Sequence, residues 1–146
     1  MRAKPRGLDR QYAEQFCDES IVAAYGTRPP YPDALIPLVL DQAGGARSHI
    51  LDLGCGTGEL ARRLAPHVQA VTAIDQSEGM LGQARALPGG NASNITWIAG
   101  RVEEVRVAGP FSCALAAESL HWFNWSELWP RLLQWLPSSR DRKSVV

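Results

Sequence analysis

Three features of the 146-residue sequence predict an α/β fold, a parallel sheet covered by helices on both faces. Short apolar runs alternate with amphipathic stretches of helical length, as in 50–53, 57–65, 68–74 and 80–87. Three glycines, Gly54, Gly56 and Gly58, alternate directly after the first run, and the second run ends in an acid, Asp75. Strand–helix alternation of this length calls for βαβ units with right-handed crossovers.

Taken in order, residues 1–7 are basic, carry Pro5 and Gly7, and read as a loose tail. Leu8 to Tyr25 has mixed helical spacing (Leu8, Tyr12, Phe16, Ile21, Val22), which predicts one or two helical turns. Pro29, Pro30 and Pro32 then forbid helix and set a stiff extended segment. Pro32 suits the first position of a helix over 33–43, with Leu35, Leu38, Val39 and Ile36 facing inward and Gly44-Gly45 stopping it.

His49 to Leu53 is the first predicted strand, nearly all apolar after His49, as a strand covered on both faces should be. The helix over 57–65 turns Leu60, Ala61, Leu64 and Ala65 inward and ends at Pro66. A second strand spans 68–74. Ser77 caps the following helix, whose inner positions are Met80, Leu81, Ala84 and Leu87. Strands over 95–99 and 111–116 follow. A last helix over 126–136 has Ser126 as its cap, Pro130 in its first turn, and Leu128, Leu132, Leu133, Trp135 and Leu136 as its apolar set. His49 and His67 read as surface residues at loop edges.

Fifteen basic and fifteen acidic residues leave no bulk field that would draw nucleic acid or an anionic membrane. Cys17, Cys55 and Cys113 are odd in number and widely spaced, which argues against a disulfide framework or a zinc site and for a reduced, cytoplasmic setting. No apolar run approaches the ~18 residues of a membrane span. Length suits one domain.

The glycine loop implies a small-molecule cofactor site. Without Cβ atoms the chain turns tightly and lets a ligand lie against bare backbone, and the amides opening the next helix point at it. A dinucleotide fingerprint would read G-x-G-x-x-G over a pyrophosphate. Here the spacing is G-x-G-x-G, Glu59 stands where the last glycine should fall, and Asp52 precedes the loop. Two carboxylates repel a pyrophosphate by roughly 1 kcal/mol each after screening. A ligand bearing an ammonium and a sulfonium is welcomed instead. Asp75 lies 21 positions after Gly54, near the ~20-residue offset at which an acid takes the ribose hydroxyls of a bound adenosine.

The run Asp52-Leu53-Gly54-Cys55-Gly56-Thr57-Gly58, with Asp75, resembles the signature of class I S-adenosylmethionine-dependent methyltransferases. The likeness extends loosely from Tyr25 to Leu136. It implies the cofactor S-adenosyl-L-methionine and a Rossmann-like three-layer sandwich of seven strands ordered 3-2-1-4-5-7-6. Only strands 3-2-1-4 are found here. Three parts are expected: a helical lid segment (1–45), a partial cofactor-binding methyltransferase domain (46–137) and a tail (138–146). The tail resembles translated adapter sequence, although a genuine polar tail is the alternative. Residues 1–146 alone are therefore expected to turn over little.

The resemblance also distributes roles. Asp52, Gly54, Cys55, Gly56, Gly58, Asp75, Gln76, Val102, Glu103 and Ala117 would form the cofactor site. Tyr25 and Arg28 match a Y-x-x-x-R-P-x-Y-P stretch belonging to a lid, with Arg28 on the methionyl carboxylate; a surface turn is the plainer alternative. Cys55 and Met80 have packing alternatives. Arg101 stands where the family usually has an acid for the adenine amino group, leaving Glu103 or apolar contact at Val102 to take over. Ala117-Glu118-Ser119-Leu120-His121-Trp122-Phe123 resembles a small-molecule methyltransferase ending. Trp122 and Phe123 would wall an acceptor pocket, and His121 or Glu118 would accept a proton. Otherwise these aromatics anchor the next helix and His121 bonds backbone.

Methyl transfer from a sulfonium needs alignment and exclusion of water more than catalytic side chains. The expected partner is a small or medium-sized methyl acceptor. Two rivals are a nicotinamide (NAD(P)) oxidoreductase, which wants the longer glycine spacing, and a non-catalytic binding module. Neither nucleic acid nor membrane is expected, and the sequence leaves oligomeric state open.

Overall fold

The computed structural model describes residues 14–137. Four strands, β1 (His49–Leu53), β2 (Ala70–Asp75), β3 (Ile95–Ala99) and β4 (Cys113–Leu115), form one parallel sheet in the order β3-β2-β1-β4. Among the described residues five α-helices accompany them: α1 (Glu19–Tyr25), α2 (Leu35–Ala43), α3 (Glu59–Leu64), α4 (Glu78–Ala86) and α5 (Trp125–Trp135). Strand β1 lies between two neighbours, Leu51 pairing with Thr72 on one side and Ala114 on the other. That central position explains its apolar run.

Side chains alternate across the strand. Ile50 joins Val39, Leu60, Leu64 and Val71 in one core, whereas Leu51 and Leu53 join Ile74, Phe111, Phe123, Leu128 and Trp135 in a second. The predicted three-layer arrangement and strand order therefore hold. Among the described residues no disulfide joins Cys17, Cys55 and Cys113. Among the described residues no helix is long and apolar enough to cross a membrane. The 138–146 tail and the 1–7 tail, with residues 8–13 of the 8–25 stretch, lie outside the described residues.

Several boundaries differ from expectation for local reasons. Helix α2 begins at Leu35, because Pro32 to Ile36 first makes a turn in which the Leu35 amide donates to the Pro32 carbonyl at 3.0 Å. Leu38 is left exposed while Val39 and Ala43 are buried. Strand β2 sits about one position later than expected and includes Asp75 itself. Strand β4 is shorter than 111–116, since the Phe111 amide turns away to the Trp135 carbonyl at 2.7 Å.

Asn124, not Ser126, caps α5, its Oδ1 accepting from the Ser126 amide at 3.2 Å and hydroxyl at 2.7 Å. The helix thus starts at Trp125, which places Pro130 in the second turn rather than the first. Leu133 points to solvent at 69% exposure, while Leu128, Leu132 and Trp135 are buried. Leu87 falls just past α4 on extended backbone and is exposed. His49 is not a free surface residue: its Nε2 lies 2.9 Å from the Thr72 hydroxyl and its ring meets Phe111 edge-on at 4.6 Å.

Candidate functional site

The loops leaving the carboxyl ends of β1, β2, β3 and β4 enclose a cavity of about 770 Å³ including its open mouth. Gly54 and Gly56 form its floor, with φ of 68° and 57°. A Cβ on Gly54 would stand 2.7 Å from the Ser119 Cβ, and one on Gly56 would stand 3.3 Å from the Tyr25 hydroxyl. Ser119 is fixed there because its hydroxyl donates to the Leu53 carbonyl at 2.6 Å, stapling the loop after β4 to the end of β1.

The loop's amides are largely spent internally. Gly54 and Cys55 donate to the Ile74 carbonyl, Gly58 to Cys55, and Gly56 to Asp75 Oδ2 at 2.8 Å. A ligand on this floor therefore meets Cα surface and carbonyls, not the fan of amides the sequence suggested. Asp75 forms the adjacent wall, its second oxygen accepting from the Ser77 amide at 2.8 Å. Burial pushes its carboxyl upward, against the two amide bonds.

Gln76, Met80, Gly100, Arg101, Val102 and Glu103 close one end of the cavity. Met80 is both core, at 1% exposure, and lining, so its two readings coexist. Glu103 is buried, with Oε1 accepting from the Asn124 amide at 2.7 Å and Oε2 lying 3.7 Å from Arg101. It thereby ties the loop after β3 to the start of α5. Phe16, Tyr25 and Arg28 roof the cavity from the N-terminal segment, opposite Ala117, Trp122 and Phe123. Phe16, Gly100 and Ser119 were not expected as site residues from the sequence. Phe16 meets the Trp122 ring at 5.5 Å, a contact no local spacing announces.

Three expected cofactor residues lie elsewhere. Asp52 and Cys55 line a small neighbouring hollow with Tyr31, Thr57 and Glu59. Gly58 caps α3 with φ 68°, and a Cβ there would sit 2.2 Å from the Trp97 ring. Its lack of a side chain serves packing against Trp97.

Tyr31 pins the proline-rich segment: its amide donates to Glu59 at 2.8 Å, and Arg63 donates to its carbonyl at 2.9 Å. Burial, then the Glu118 charge, pushes its phenol up to about 12. Arg28 donates to the Tyr25 hydroxyl at 2.8 Å and pairs with Glu118 across the cavity mouth. Both members of that ion pair are about half exposed, so it contributes about 0–1 kcal/mol. Outside this partition lies a more open hollow that also touches Ile21, Ala24 and His121.

Asp52 is buried, and desolvation followed by the Asp75 charge raises its carboxyl to about 7, partly offset by a bond from the Ala61 amide. The folded protein thus binds a proton that the unfolded chain releases near 3.8. Stability falls as pH rises from that value to about 7 and levels off above, by on the order of a few kcal/mol. Urea unfolding between pH 5 and 8 should show this decline. Asp52→Asn should flatten it and be the more stable protein at pH 8; an unchanged slope would remove Asp52 as its source.

A parallel sheet ordered 3-2-1-4, a Cβ-free floor after β1 and an acid ending β2 define a Rossmann-like domain with a cavity at its strand ends. A family model described as "Methyltransferase domain" matches residues 50–137, and the chain belongs to that family, among the class I S-adenosylmethionine-dependent methyltransferases. It is 30% identical over 109 residues to a probable S-adenosylmethionine-dependent methyltransferase of Saccharomyces cerevisiae, covering 72% of this chain and 38% of that protein. The solved structure of a putative type II methyltransferase from Anaeromyxobacter dehalogenans is 31% identical, with a TM-score of 0.63 over 75% of this chain and 44% of that one. The N-methyltransferase NodS of Bradyrhizobium japonicum, solved with S-adenosyl-L-homocysteine, shares the fold at 22% identity, TM-score 0.65, over 88% of this chain and 67% of that one. The chain spans well under half the length of the curated relatives it matches.

Proposed function

We propose that the cavity binds S-adenosyl-L-methionine and serves methyl transfer to a small or medium-sized acceptor. Residues 46–137 would be the cofactor-binding body and the preceding segment its lid. The observation that carries this reading is Asp75 at the end of β2, its carboxylate facing the cavity beside the Cβ-free floor of Gly54 and Gly56. The residues present suit a cationic nucleoside. Asp75 oxygens each accept one amide and keep lone pairs for ribose hydroxyls. Asp52, close enough to feel the Asp75 charge, favours a nearby ammonium.

When bound, the cofactor supplies a methyl group already activated as a sulfonium substituent. What the protein adds is placement and dryness. Gly54 and Gly56 permit close approach, Met80 and Val102 give the base apolar contact, and Gln76 and Glu103 border it. Ala117 and Phe123 bound the reacting end, with Trp122 as an apolar wall for the acceptor. Tyr25 roofs the site and excludes water.

Calorimetric titration with S-adenosyl-L-homocysteine, the stable product, tests this reading. Saturable heat at one site, with none from NADH, is expected. Binding of NADH in place of the homocysteine nucleoside, or no heat from the latter, would overturn it.

A further inference from the structure

The partition between the cofactor cavity and the outer hollow is built from charge. Tyr25, Arg28 and Glu118 line both spaces, and the Arg28–Glu118 pair spans the gap between the lid segment and the loop after β4. The outer walls are otherwise mostly apolar, with Phe16 and Trp122 set edge to face and Ile21 and Ala24 beside them. Glu118 has a φ of 54°, the one positive value outside glycine among the described residues. Backbone held in that region marks a side chain constrained by its surroundings, commonly at a ligand site.

We infer that the outer hollow receives the methyl acceptor, and that this acceptor is an apolar molecule bearing a carboxylate, which displaces Glu118 from Arg28. The inference rests on the cofactor reading above. A guanidinium with one side-chain carboxylate and one phenol on it offers a two-pronged seat for an incoming carboxylate. Because both partners are about half exposed, the internal pair is easily exchanged for a better-placed anion.

The chemistry agrees. An amine or phenol acceptor must lose a proton to a base placed beside it. Methyl transfer to a carboxylate moves no proton: an oxygen gains the methyl, the carbon–sulfur bond breaks, and its electron pair stays on sulfur. An ester and a neutral thioether result. In this arrangement Glu118 occupies the seat in the resting protein and withdraws when the acceptor arrives.

The test is calorimetry on the 146-residue chain, free and saturated with S-adenosyl-L-homocysteine, using phenylacetate as the probe and phenylacetamide and phenethylamine as matched neutral and cationic controls. Phenylacetate should bind at least about tenfold more tightly than either control. Arg28→Gln should cost phenylacetate about tenfold, more than it costs the nucleoside, with Arg28→Lys intermediate. Glu118→Gln should strengthen phenylacetate binding severalfold, because it removes the resident competitor.

Equal binding of the amide or amine, weaker binding in Glu118→Gln, or an Arg28→Gln loss confined to the nucleoside would overturn the assignment. Nucleoside binding without acid binding would sink this inference and leave the cofactor reading intact. Acid binding by the free chain without nucleoside binding would leave the carboxylate seat standing but overturn the cofactor reading, and with it the acceptor role.

Discussion

Asp75→Ala should abolish measurable binding of S-adenosyl-L-homocysteine, a fall of at least about 100-fold, while costing the fold only about 2 kcal/mol. Two opposing effects set the second figure. Deleting the carboxylate orphans the Gly56 and Ser77 amides, both drawn to it at 2.8 Å. Each unpaired buried donor costs about 1–3 kcal/mol. Against that, the carboxyl is held in a place that disfavours its charge, and its charge in turn raises Asp52. Removing it relieves both.

Asp75→Asn separates the contributions. It keeps one acceptor oxygen for one amide, presents a donor to the other, and removes the charge. Stability should drop less than in the alanine variant, the apparent titration of Asp52 should move down, and nucleoside affinity should still fall steeply. Thermal melts and calorimetry on the two variants read these quantities directly. Nucleoside binding by Asp75→Ala within about twofold of the parent would break the link between the β2 acid and the ligand.

The parts of the site that were legible in the sequence are those written locally. A strand flanked by two others must be apolar on both faces, and a sharp turn after it must accept positive φ, so β1 and its glycines could be read residue by residue. Asp75 followed because a strand's end is a fixed distance along the chain from the preceding loop. What escaped depends on partners far apart in sequence. Glu103 meets Asn124 across 21 positions and Arg28 meets Glu118 across 90, and neither pairing has a periodic signature. Glu103 could be named as a candidate site residue but not as a tie to α5. Arg28 could be named as a candidate lid residue but not placed opposite Glu118. The exposed Leu133 and Leu87 show a different limit: apolar spacing marks which residues suit a core, while the ends and rotation of the helix decide which reach it.

The same long-range logic makes Gly58→Ala a severe single-methyl change, with an expected loss on the order of 3 kcal/mol. Part of the cost is local: a Cβ at φ 68° strains the backbone by about 1 kcal/mol or more. The larger part is packing, because that Cβ would fall 2.2 and 2.5 Å from two carbons of the Trp97 six-membered ring. The ring cannot swing clear freely, since its Nε1 donates to the Gly90 carbonyl at 2.9 Å. The glycine loop must give way instead, carrying Gly56 and its bond to Asp75 with it, so nucleoside affinity should fall along with stability.

Trp97→Phe provides the control. It withdraws the obstructing carbons and loses the indole bond, for about 1 kcal/mol on its own. In that background Gly58→Ala should cost little beyond backbone strain, giving a favourable coupling of about 1–2 kcal/mol in urea unfolding. An equal cost in both backgrounds would mean that backbone strain alone forbids a side chain at Gly58, and that β3 supports the glycine loop through something other than the Trp97 ring.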